Sequence, residues 1–334
     1  MVPQELDGAV VSNEYSTLRT RPELLMDFFQ HYAHTPYFQR TCFHSSHGVD
    51  VEKMIFKLDE WLAREFDLPP AVEQKKIAGI LASVDEAIKA TQAVIDQLEV
   101  VKKALMAELL IRGLPGKHRR FKQTEIGEIP EEWRCEGIGQ LAALGSGTTP
   151  SRTRPEYFSK TDGTAWVKTL DLNDHLVTTT QEFVSEVGLR ETSLRVYPVG
   201  TVVVAMYGGF GQIGRSGILG VPAATNQALC PILPRPDVLP LFLNHVLVGF
   251  RDRWRNIAAS SRKDPNITKS DVGNFAVPVP PLDEQREIVA VAEAHVTRLS
   301  VEGECLTALR QVRAALMSVL LSGEVRVKPD PEPQ

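Results

Sequence analysis

The middle of the sequence carries polar and basic residues in glycine-flanked loops, and their types suit contacts with a nucleic acid. Arginine and lysine can contact phosphates or guanine edges, and asparagine and glutamine can pair with adenine. Turn capping explains any one of these residues equally well, but the set is larger than capping requires. The sequence therefore predicts a nucleic-acid-binding surface formed by Thr148, Thr149, Arg152, Arg154, Lys168, Tyr207, Gln212, Arg215, Asn226, Gln227, Ser260, Ser261, Arg262 and Lys263.

Charge is distributed unevenly along the chain, although the formal net charge is only −5. Residues 1–69 carry 6 basic and 11 acidic groups, whereas residues 133–278 carry 15 basic and 12 acidic groups. A nucleic-acid-binding domain with a strong electrostatic footprint has a pI above about 9. The positive middle segment is therefore compatible with nucleic-acid binding but does not establish it.

No motif for nucleotide binding or catalysis is complete. Residues 209–214 spell GxGxxG, but a dinucleotide fingerprint must open a helix, and Gly217, Gly220 and Pro222 oppose one. We therefore predict a glycine-rich hairpin tip. The stretch GSGTTPSR at 145–152 lacks the Gly-Lys-Ser/Thr ending of a phosphate loop. Because GxSxG, HExxH and methyltransferase signatures are also missing from the sequence, it favours a non-catalytic binding protein.

Cysteine and histidine usage gives no support for a metal site. The four cysteines are scattered, without zinc spacing or a Cys-x-x-Cys pair, which favours reduced thiols in a cytosolic protein. His245 is predicted to be a packed or surface residue of a helix, and His295 lies on a helix seam. Secretion and membrane spanning are both unsupported by the sequence, whose longest apolar stretches are short strand-like runs.

Two copies of one helix motif flank the middle segment, about 211 residues apart. LPPAVEQKKIAGIL starts at Leu68, VPPLDEQREIVAVA starts at Val279, and the copies end in ALMAELL and ALMSVLL. Proline suits the first turn of a helix, and the helix dipole favours an acidic residue there. Each copy therefore predicts a helix of about 40 residues, roughly 60 Å long.

Apolar residues recur in both helices at alternating steps of three and four, which is typical of a coiled-coil seam. Polar residues interrupt the two seams at matching places, Thr91 with Glu302 and Lys102 with Arg313. They are interpreted either as devices that fix the register or as residues at the wet edge of an imperfect seam. We expect the helices to pack on each other, preferably antiparallel, through Ile77, Leu81, Val84, Ile88, Leu98, Leu105, Leu109, Ile288, Leu299, Leu306, Leu309, Leu316 and Leu320.

Between the helices the pattern changes to short strands and turns, with one helix starting near Leu239. The stretch TRPELLMDFFQHY from Thr20 resembles LPRPDVLPLFLNHVL from Leu233. The fold class is therefore α+β, with strand-rich domains alternating with two long coiled-coil helices. The expected segments are the C-terminal half of a first domain (1–67), a helix (68–112), a linker (113–132), a complete domain (133–278), a second helix (279–323) and a flexible tail (324–334).

Several features together match one protein family. They are the Pro-Pro-x-x-Glu-Gln-x-x-Ile openings at Pro69 and Pro280, the Ala-Leu-Met-x-x-Leu-Leu helix ends, the stretch GEIPEEW at 127–133, and the strand-rich domain with its GxGxxG turn and Asn226-Gln227. The chain resembles the specificity subunits of Type I restriction-modification systems over essentially its whole length. The duplicated Pro-Pro and Glu-Gln helices are the most specific part of the resemblance.

The resemblance implies a function and a set of partners. Such subunits carry two target-recognition domains, each recognising half of a split DNA sequence, and two helices that set the distance between the domains. The chain itself is expected to hold no cofactor and to be no enzyme. The expected partners are double-stranded DNA, two modification subunits that hold S-adenosylmethionine and methylate adenine, restriction subunits that use ATP and Mg²⁺, and a second copy or a complementary partial specificity chain. The expected location is the cytoplasm.

The first target-recognition domain departs from the family pattern, because only its C-terminal half is expected within residues 1–67. The true start could lie upstream, the gene could be truncated, or the chain could work as a partial subunit that pairs with another. The alternative function is a truncated scaffold that binds the modification subunit without recognising DNA.

Overall fold

The structure is a computed structural model of the 334-residue chain. It describes residues 10, 12, 17–19, 21–48, 54–209, 211–258 and 266–328. The chain divides into two compact units, unit 1 with Met1–Gln97 and Leu299–Gln334, and unit 2 with Leu98–Arg298. Each unit has its own hydrophobic core.

Two long helices begin directly after the duplicated Pro-Pro motifs. Helix α4 spans Ala71–Arg112, with 42 residues, and helix α10 spans Leu282–Leu321, with 40 residues. All thirteen predicted seam residues are buried or partly buried. The predicted α+β class with two long helices is confirmed.

Unit 1 packs small elements against one end of each long helix. Its other elements are α1 (Met26–Tyr32), α2 (Pro36–His44), β1 (Ser46–His47), β2 (Ile55–Phe56) and α3 (Leu58–Leu62). The core is rich in aromatic side chains and consists of Phe28, Tyr32, Phe38, Trp61, Ile77, Ala78, Leu81, Leu320 and Leu321. The Trp61 ring meets the Phe38 ring edge to face, at 5.4 Å between centroids.

Within unit 1 the two long helices run antiparallel. Asp85 of α4 pairs with Arg313 of α10, and Gln92 accepts a hydrogen bond from Arg310 at 3.5 Å. As the residue numbers increase along α4, the numbers of their partners in α10 therefore decrease. The expected antiparallel direction is observed here, and Arg313, one of the polar seam residues, has an acidic partner.

Glu73, in the first turn of α4, binds the segment that follows α10. Its carboxylate accepts hydrogen bonds from Arg326 Nε at 2.9 Å and Nη2 at 2.6 Å, and from the backbone N–H of Val327 at 2.9 Å. The hydrogen bonds from Arg326 and then Val327 lower the pKa of the Glu73 carboxyl. The predicted flexible tail is therefore held by Glu73 at Arg326 and Val327. Residues 329–334 of this tail lie outside the described residues.

Acid should weaken unit 1 through Glu73. A carboxyl whose pKa is lower in the folded state contributes stability above its unfolded value of about 4.5, and this stability is lost as the pH falls through the folded value. We expect Glu73→Gln to be less stable than the wild type at pH 7, and the difference to shrink below about pH 4.5. Urea unfolding between pH 3 and 7, followed by hydrogen exchange of the amides of unit 1, measures this. A similar pH dependence for Glu73→Gln and for Glu86→Gln, at an exposed position of α4, would contradict it.

Among the described residues, unit 2 contains a five-stranded sheet, a four-stranded sheet and two two-stranded sheets. The strands are β3 (Phe121–Thr124), β4 (Gly127–Pro130), β5 (Arg134–Gly137), β6 (Ala142–Leu144), β7 (Phe158–Ser159), β8 (Thr164–Val167), β9 (Leu176–Val177), β10 (Phe183–Val184), β11 (Val202–Ala205), β12 (Ser216–Leu219), β13 (Ala223–Thr225), β14 (Leu229–Pro234) and β15 (Ala276–Val279). The shorter helices are α5 (Ile138–Leu141), α6 (Glu186–Glu191), α7 (Pro240–Gly249), α8 (Arg253–Ile257) and α9 (Lys269–Asn274).

The sheet order explains which strands are buried. The five-stranded sheet has the order β6-β14-β11-β12-β9, and the four-stranded sheet has the order β13-β8-β10-β7. The central strand β11 is buried on both faces, which agrees with its continuous apolar run VVVA. Helix α7 packs on β11 and β12, and the strands β3 and β4 form a hairpin inside the predicted linker.

The helix predicted to start near Leu239 is present as α7, but it ends at Gly249, and after a turn the chain forms the separate helix α8. Arg251 in this turn donates to the carbonyl of Gly214 at 3.2 Å and pairs with Asp174. The turn allows Trp254 to stack on Phe275 at 3.9 Å between ring centroids. These tertiary contacts outweigh the helical pattern of the sequence.

Gln285, in the first turn of α10, joins three backbone groups. Its Nε2 donates to the carbonyls of Asp237 at 2.9 Å and Pro280 at 3.0 Å, and its Oε1 accepts from the N–H of Leu239 at 2.8 Å. Leu239 is the N-cap residue of α7, and its apolar side chain cannot accept a hydrogen bond from the first backbone N–H groups of that helix. The fully buried Gln285 therefore fixes the start of α7 against the start of α10.

Gln74 makes the same three contacts in unit 1. Its Nε2 donates to the carbonyls of Glu23 at 2.7 Å and Pro69 at 2.8 Å, and its Oε1 accepts from the N–H of Leu25 at 2.8 Å. Leu25 is the N-cap residue of α1. The repeat found in the sequence thus corresponds to a repeated structural contact.

Glu284, next to Gln285, is a buried acceptor in unit 2. It accepts from Trp133 Nε1 at 3.1 Å and lies 2.7 Å from His118 Nε2, while His118 Nδ1 lies 3.3 Å from Glu132. Glu284 therefore binds the segment that follows α4, as Glu73 in unit 1 binds the segment that follows α10.

Candidate nucleic-acid interface

Six of the predicted contact residues meet at one edge of the β13-β8-β10-β7 sheet. The strands β8 and β13 run parallel, with Val167 beside Thr225, so Lys168 and Asn226 follow strand ends at the same edge. The N–H of Asn226 donates to the carbonyl of Val167 at 3.0 Å. We name these six residues the edge cluster: Thr148, Thr149, Arg152, Lys168, Asn226 and Gln227.

The loop after β6 crosses this edge and contacts both strand ends. The N–H of Thr148 donates to the carbonyl of Thr225 at 2.8 Å, and its carbonyl accepts from Trp166 Nε1 at 3.2 Å. A Cβ added to Gly147 would lie 1.8 Å from the carbonyl oxygen of Asn226. Only glycine therefore allows this approach of the two backbones.

Polar side chains of the edge cluster are positioned by one another. Thr149 donates a hydrogen bond to Gln227 Oε1, and the Thr148 hydroxyl lies 3.1 Å from that of Ser193. Among the described residues, Asn226 Oδ1 is buried without a hydrogen-bond partner, whereas Gln227 is exposed. Gln227 is therefore the amide of the cluster that is accessible to a ligand.

Arg152 and Lys168 share a carboxylate that the sequence did not single out. Glu182 accepts from Arg152 Nη1 at 2.7 Å and from Lys168 Nζ at 2.7 Å. These hydrogen bonds, from Arg152 first and Lys168 second, lower the pKa of the Glu182 carboxyl. Glu182 lies 30 and 14 residues from its partners, so no local spacing could have revealed it.

Arg154 is directed away from the edge cluster. It pairs with Glu156 at 2.7 Å and with Glu191 at 3.1 Å, and its guanidinium lies 4.5 Å from the centroid of the Tyr157 ring. The hydrogen bond to Glu156 raises the pKa of Arg154. Its assignment as a DNA contact stays a prediction.

The glycine-rich loop begins beside the edge cluster. The N–H of Met206 donates to the carbonyl of Ala228 at 2.8 Å, which places the exposed Tyr207 near Gln227. The loop joins the antiparallel strands β11 and β12, and its described residues form turns. The predicted hairpin tip is confirmed, and the described residues of the motif form no helix that could bind a dinucleotide.

Arg215 and Gln212, in the same loop, contact each other and the protein backbone. Arg215 Nη2 donates to the carbonyl of Leu172 at 2.5 Å, and Nη1 donates to Gln212 Oε1 at 3.3 Å. Arg215 thus has an internal role that its residue type did not reveal. The predicted residues Ser260, Ser261, Arg262 and Lys263 lie outside the described residues.

His245, predicted to be a packed or surface residue of a helix, is packed in α7. His245 is 7% exposed and lies 3.0 Å from Glu293, and burial lowers its pKa. Among the described residues, no group of His, Cys, Asp or Glu side chains could hold a metal ion, and no helix has the length and apolar character to cross a membrane.

Comparison with known proteins connects this segment to one family. The model of the Type I restriction modification DNA specificity domain matches residues 130–308, more than half of the chain. The chain belongs to this family. The matched segment of the specificity domain contains every predicted contact residue, from Thr148 to Lys263.

Curated relatives of the specificity-domain family match a larger part of the chain. The Type I restriction enzyme MjaVIII specificity subunit of Methanocaldococcus jannaschii is 26% identical over 290 residues, which cover 83% of this chain and 65% of the relative. The EcoR124I/EcoR124II specificity subunit of Escherichia coli is 22% identical over 203 residues, which cover 60% and 49%. The chain thus spans less than two thirds of the length of either relative.

Solved structures share the fold of this specificity-domain chain. The HsdS subunit from Thermoanaerobacter tengcongensis matches with a TM-score of 0.53 and 17% identity, over 91% of this chain and 71% of that one. The S subunit from M. genitalium matches with a TM-score of 0.55 and 14% identity, over 89% and 73%. At these identities the similarity concerns the fold alone.

Proposed function

We propose that this chain is a sequence-specific DNA-recognition subunit of a Type I restriction-modification complex, with no catalytic activity of its own. The convergence of the edge cluster and the Tyr207 loop at one sheet edge carries the proposal. Family membership of residues 130–308 supports it. Residues 133–278 form the proposed target-recognition domain, and residues 1–67 form part of a first one.

The proposed partners follow from this role. Double-stranded DNA binds the target-recognition domain, while modification subunits with S-adenosylmethionine and restriction subunits with ATP and Mg²⁺ supply the chemistry in the cytoplasm. The predicted seam residues belong to the helices proposed as spacers. The similar contacts of Gln74 and Gln285 support an equivalence of the two units.

Selection from random duplex pools tests the function. The full chain, alone or with its modification subunit, is expected to enrich a defined motif, with an affinity that falls as salt rises, because phosphate contacts release counterions. Binding to the modification subunit without enrichment of any motif would instead indicate the scaffold. Methyl transfer or ATP turnover by the isolated chain would contradict a non-catalytic role.

Gln227 should contribute directly to the selected motif. Its exposed amide can make two hydrogen bonds to an adenine edge, and such a pair is worth about 1–3 kcal/mol of discrimination. We expect Gln227→Ala to lose the preference at one position of the motif by about tenfold. Competition binding with single-position variants of the motif measures this.

Gln123→Ala is the matched control, because Gln123 is an exposed glutamine of the β3–β4 hairpin. It should leave every preference unchanged. If Gln227→Ala behaves like this control, Gln227 does not recognise a base.

A further inference from the structure

Arg152 is held in one orientation by its surroundings. Its guanidinium lies 4.3 Å from the centroid of the Phe158 ring and 5.1 Å from that of the Trp166 ring. Trp166 is fully buried, and Phe158 meets it at 5.5 Å between centroids. An arginine stacked in this way has lost much of the freedom of a surface side chain before any ligand arrives.

Glu182 fixes the remaining rotation of this guanidinium. It accepts from Nη1 of Arg152, and its backbone carbonyl accepts from the N–H of Trp166 at 3.1 Å. The Thr180 hydroxyl donates to the same carbonyl at 2.8 Å. The backbone of Glu182 is therefore held at the sheet edge, and its carboxylate is anchored beside Arg152.

Two nitrogen atoms of the Arg152 guanidinium, Nε and Nη2, are left for a ligand. Among the described residues, Arg152 donates a single side-chain hydrogen bond, from Nη1 to Glu182, so Nε and Nη2 are unpaired. The side chain is 55% exposed. Nε and Nη2 form an edge of the guanidinium that can donate two parallel hydrogen bonds.

The neighbouring charge decides which acceptor suits this edge. Hydrogen bonds from Arg152 and Lys168 lower the pKa of Glu182, so the carboxylate is ionised at neutral pH. A phosphate brought to Arg152 would meet this negative charge, whereas the O6 and N7 acceptors of guanine carry no net charge. The arrangement therefore favours a base edge over the DNA backbone.

We propose that Arg152 recognises a guanine in the major groove, and that Glu182 is the positioning residue that orients Arg152 and disfavours its binding to phosphate. The inference rests on the proposed DNA-recognition function and specifies one contact of it. Lys168, bound to the other oxygen of Glu182, completes a cluster in which one anion serves two cations.

Conservative variants of the full chain test the proposal against the selected motif. Arg152→Lys keeps the charge but loses the paired donors, and should lose the preference for G at one position by about tenfold or more, with an unchanged salt dependence. Glu182→Gln frees Arg152 for phosphates, and should raise the affinity for a motif-free duplex about fivefold at 0.1 M salt and steepen the salt slope by about one. It should also weaken the same G preference.

The matched control is Glu131→Gln, because Glu131 pairs with Arg120 at 3.0 Å in the same unit. This variant should change neither the preference for G nor the affinity and salt slope for a motif-free duplex. A uniform loss of affinity in Arg152→Lys, without loss of a G preference, would make Arg152 a phosphate contact and overturn the proposal. An unchanged salt slope in Glu182→Gln would overturn the role of Glu182. If the wild-type chain enriches no motif, the proposed function itself fails, so the two failures are distinguishable.

Discussion

Replacing Gln285 with alanine is expected to lower the free energy of unfolding of unit 2 by about 3 kcal/mol. The side chain makes three hydrogen bonds to backbone groups, and it is fully buried. A typical hydrogen bond contributes about 0.5–1.5 kcal/mol, and a buried partner left unsatisfied costs about 1–3 kcal/mol. The loss should therefore exceed that of an ordinary surface substitution several times.

Asp237→Asn separates this effect from a nearby ion pair. The Asp237 side chain pairs with Arg134 at 2.9 Å, with both side chains about half exposed, while its backbone carbonyl accepts from Gln285. An exposed ion pair is worth at most about 1 kcal/mol. Asp237→Asn should thus be nearly neutral, and an equal cost for both variants would contradict the role of Gln285.

Gln74→Ala provides the matched variant in the other unit. Gln74 makes the same three contacts in unit 1. Its loss should therefore lower the hydrogen-exchange protection of the amides of α1 and not that of the amides of α7. Native-state hydrogen exchange distinguishes the two. Equal loss of protection in both units for either variant would show that these contacts are not local.

The repeat made the long helices predictable, but not the contacts of their first turns. Residue types and spacing place Glu73 and Glu284 where the helix dipole favours an acid, but they do not indicate which groups these carboxylates bind. In the structure these carboxylates bind Arg326 and Trp133, which lie 253 and 151 residues away. Partners at such separations leave no periodic signal in a single sequence.

Residue type and loop position predicted residues that meet in the edge cluster, but not which contacts each residue makes. Loop position and residue type identified Lys168 and Asn226. These residues follow two parallel strands that end at the same edge of the sheet. The same criteria also chose Arg154 and Arg215, which contact Glu156 and the carbonyl of Leu172. Whether a basic side chain faces solvent or an internal acceptor depends on tertiary packing, which residue type alone does not determine.

Gly147→Ala should disrupt the edge cluster more than any removal of a single side chain. The added Cβ would lie 1.8 Å from the carbonyl oxygen of Asn226 and 2.7 Å from that of Thr225. Both are backbone atoms, held by the hydrogen bonds from Thr148 to Thr225 and from Asn226 to Val167. The backbones must therefore separate, at a cost of about 1–3 kcal/mol or more.

Separation of the backbones should affect DNA recognition more than DNA affinity. Thr149, two residues after Gly147, would lose its hydrogen bond to Gln227, whereas phosphate contacts depend less on exact geometry. We expect the affinity for the selected motif to fall at least about tenfold, the value of one good base contact. The affinity for a motif-free duplex should change little.

Two further variants decide between a local and a general effect. Gly211→Ala adds a Cβ that meets no described residue within 4 Å and should preserve both stability and discrimination. Thr149→Val removes the hydroxyl that binds Gln227 while Gly147 is unchanged, so it should reproduce part of the lost discrimination without the lost stability. If Gly147→Ala keeps its full preference for the motif, the close approach of the Gly147 and Asn226 backbones does not position the side chains that contact bases. The edge cluster would then have to act through Arg152 and Lys168 alone.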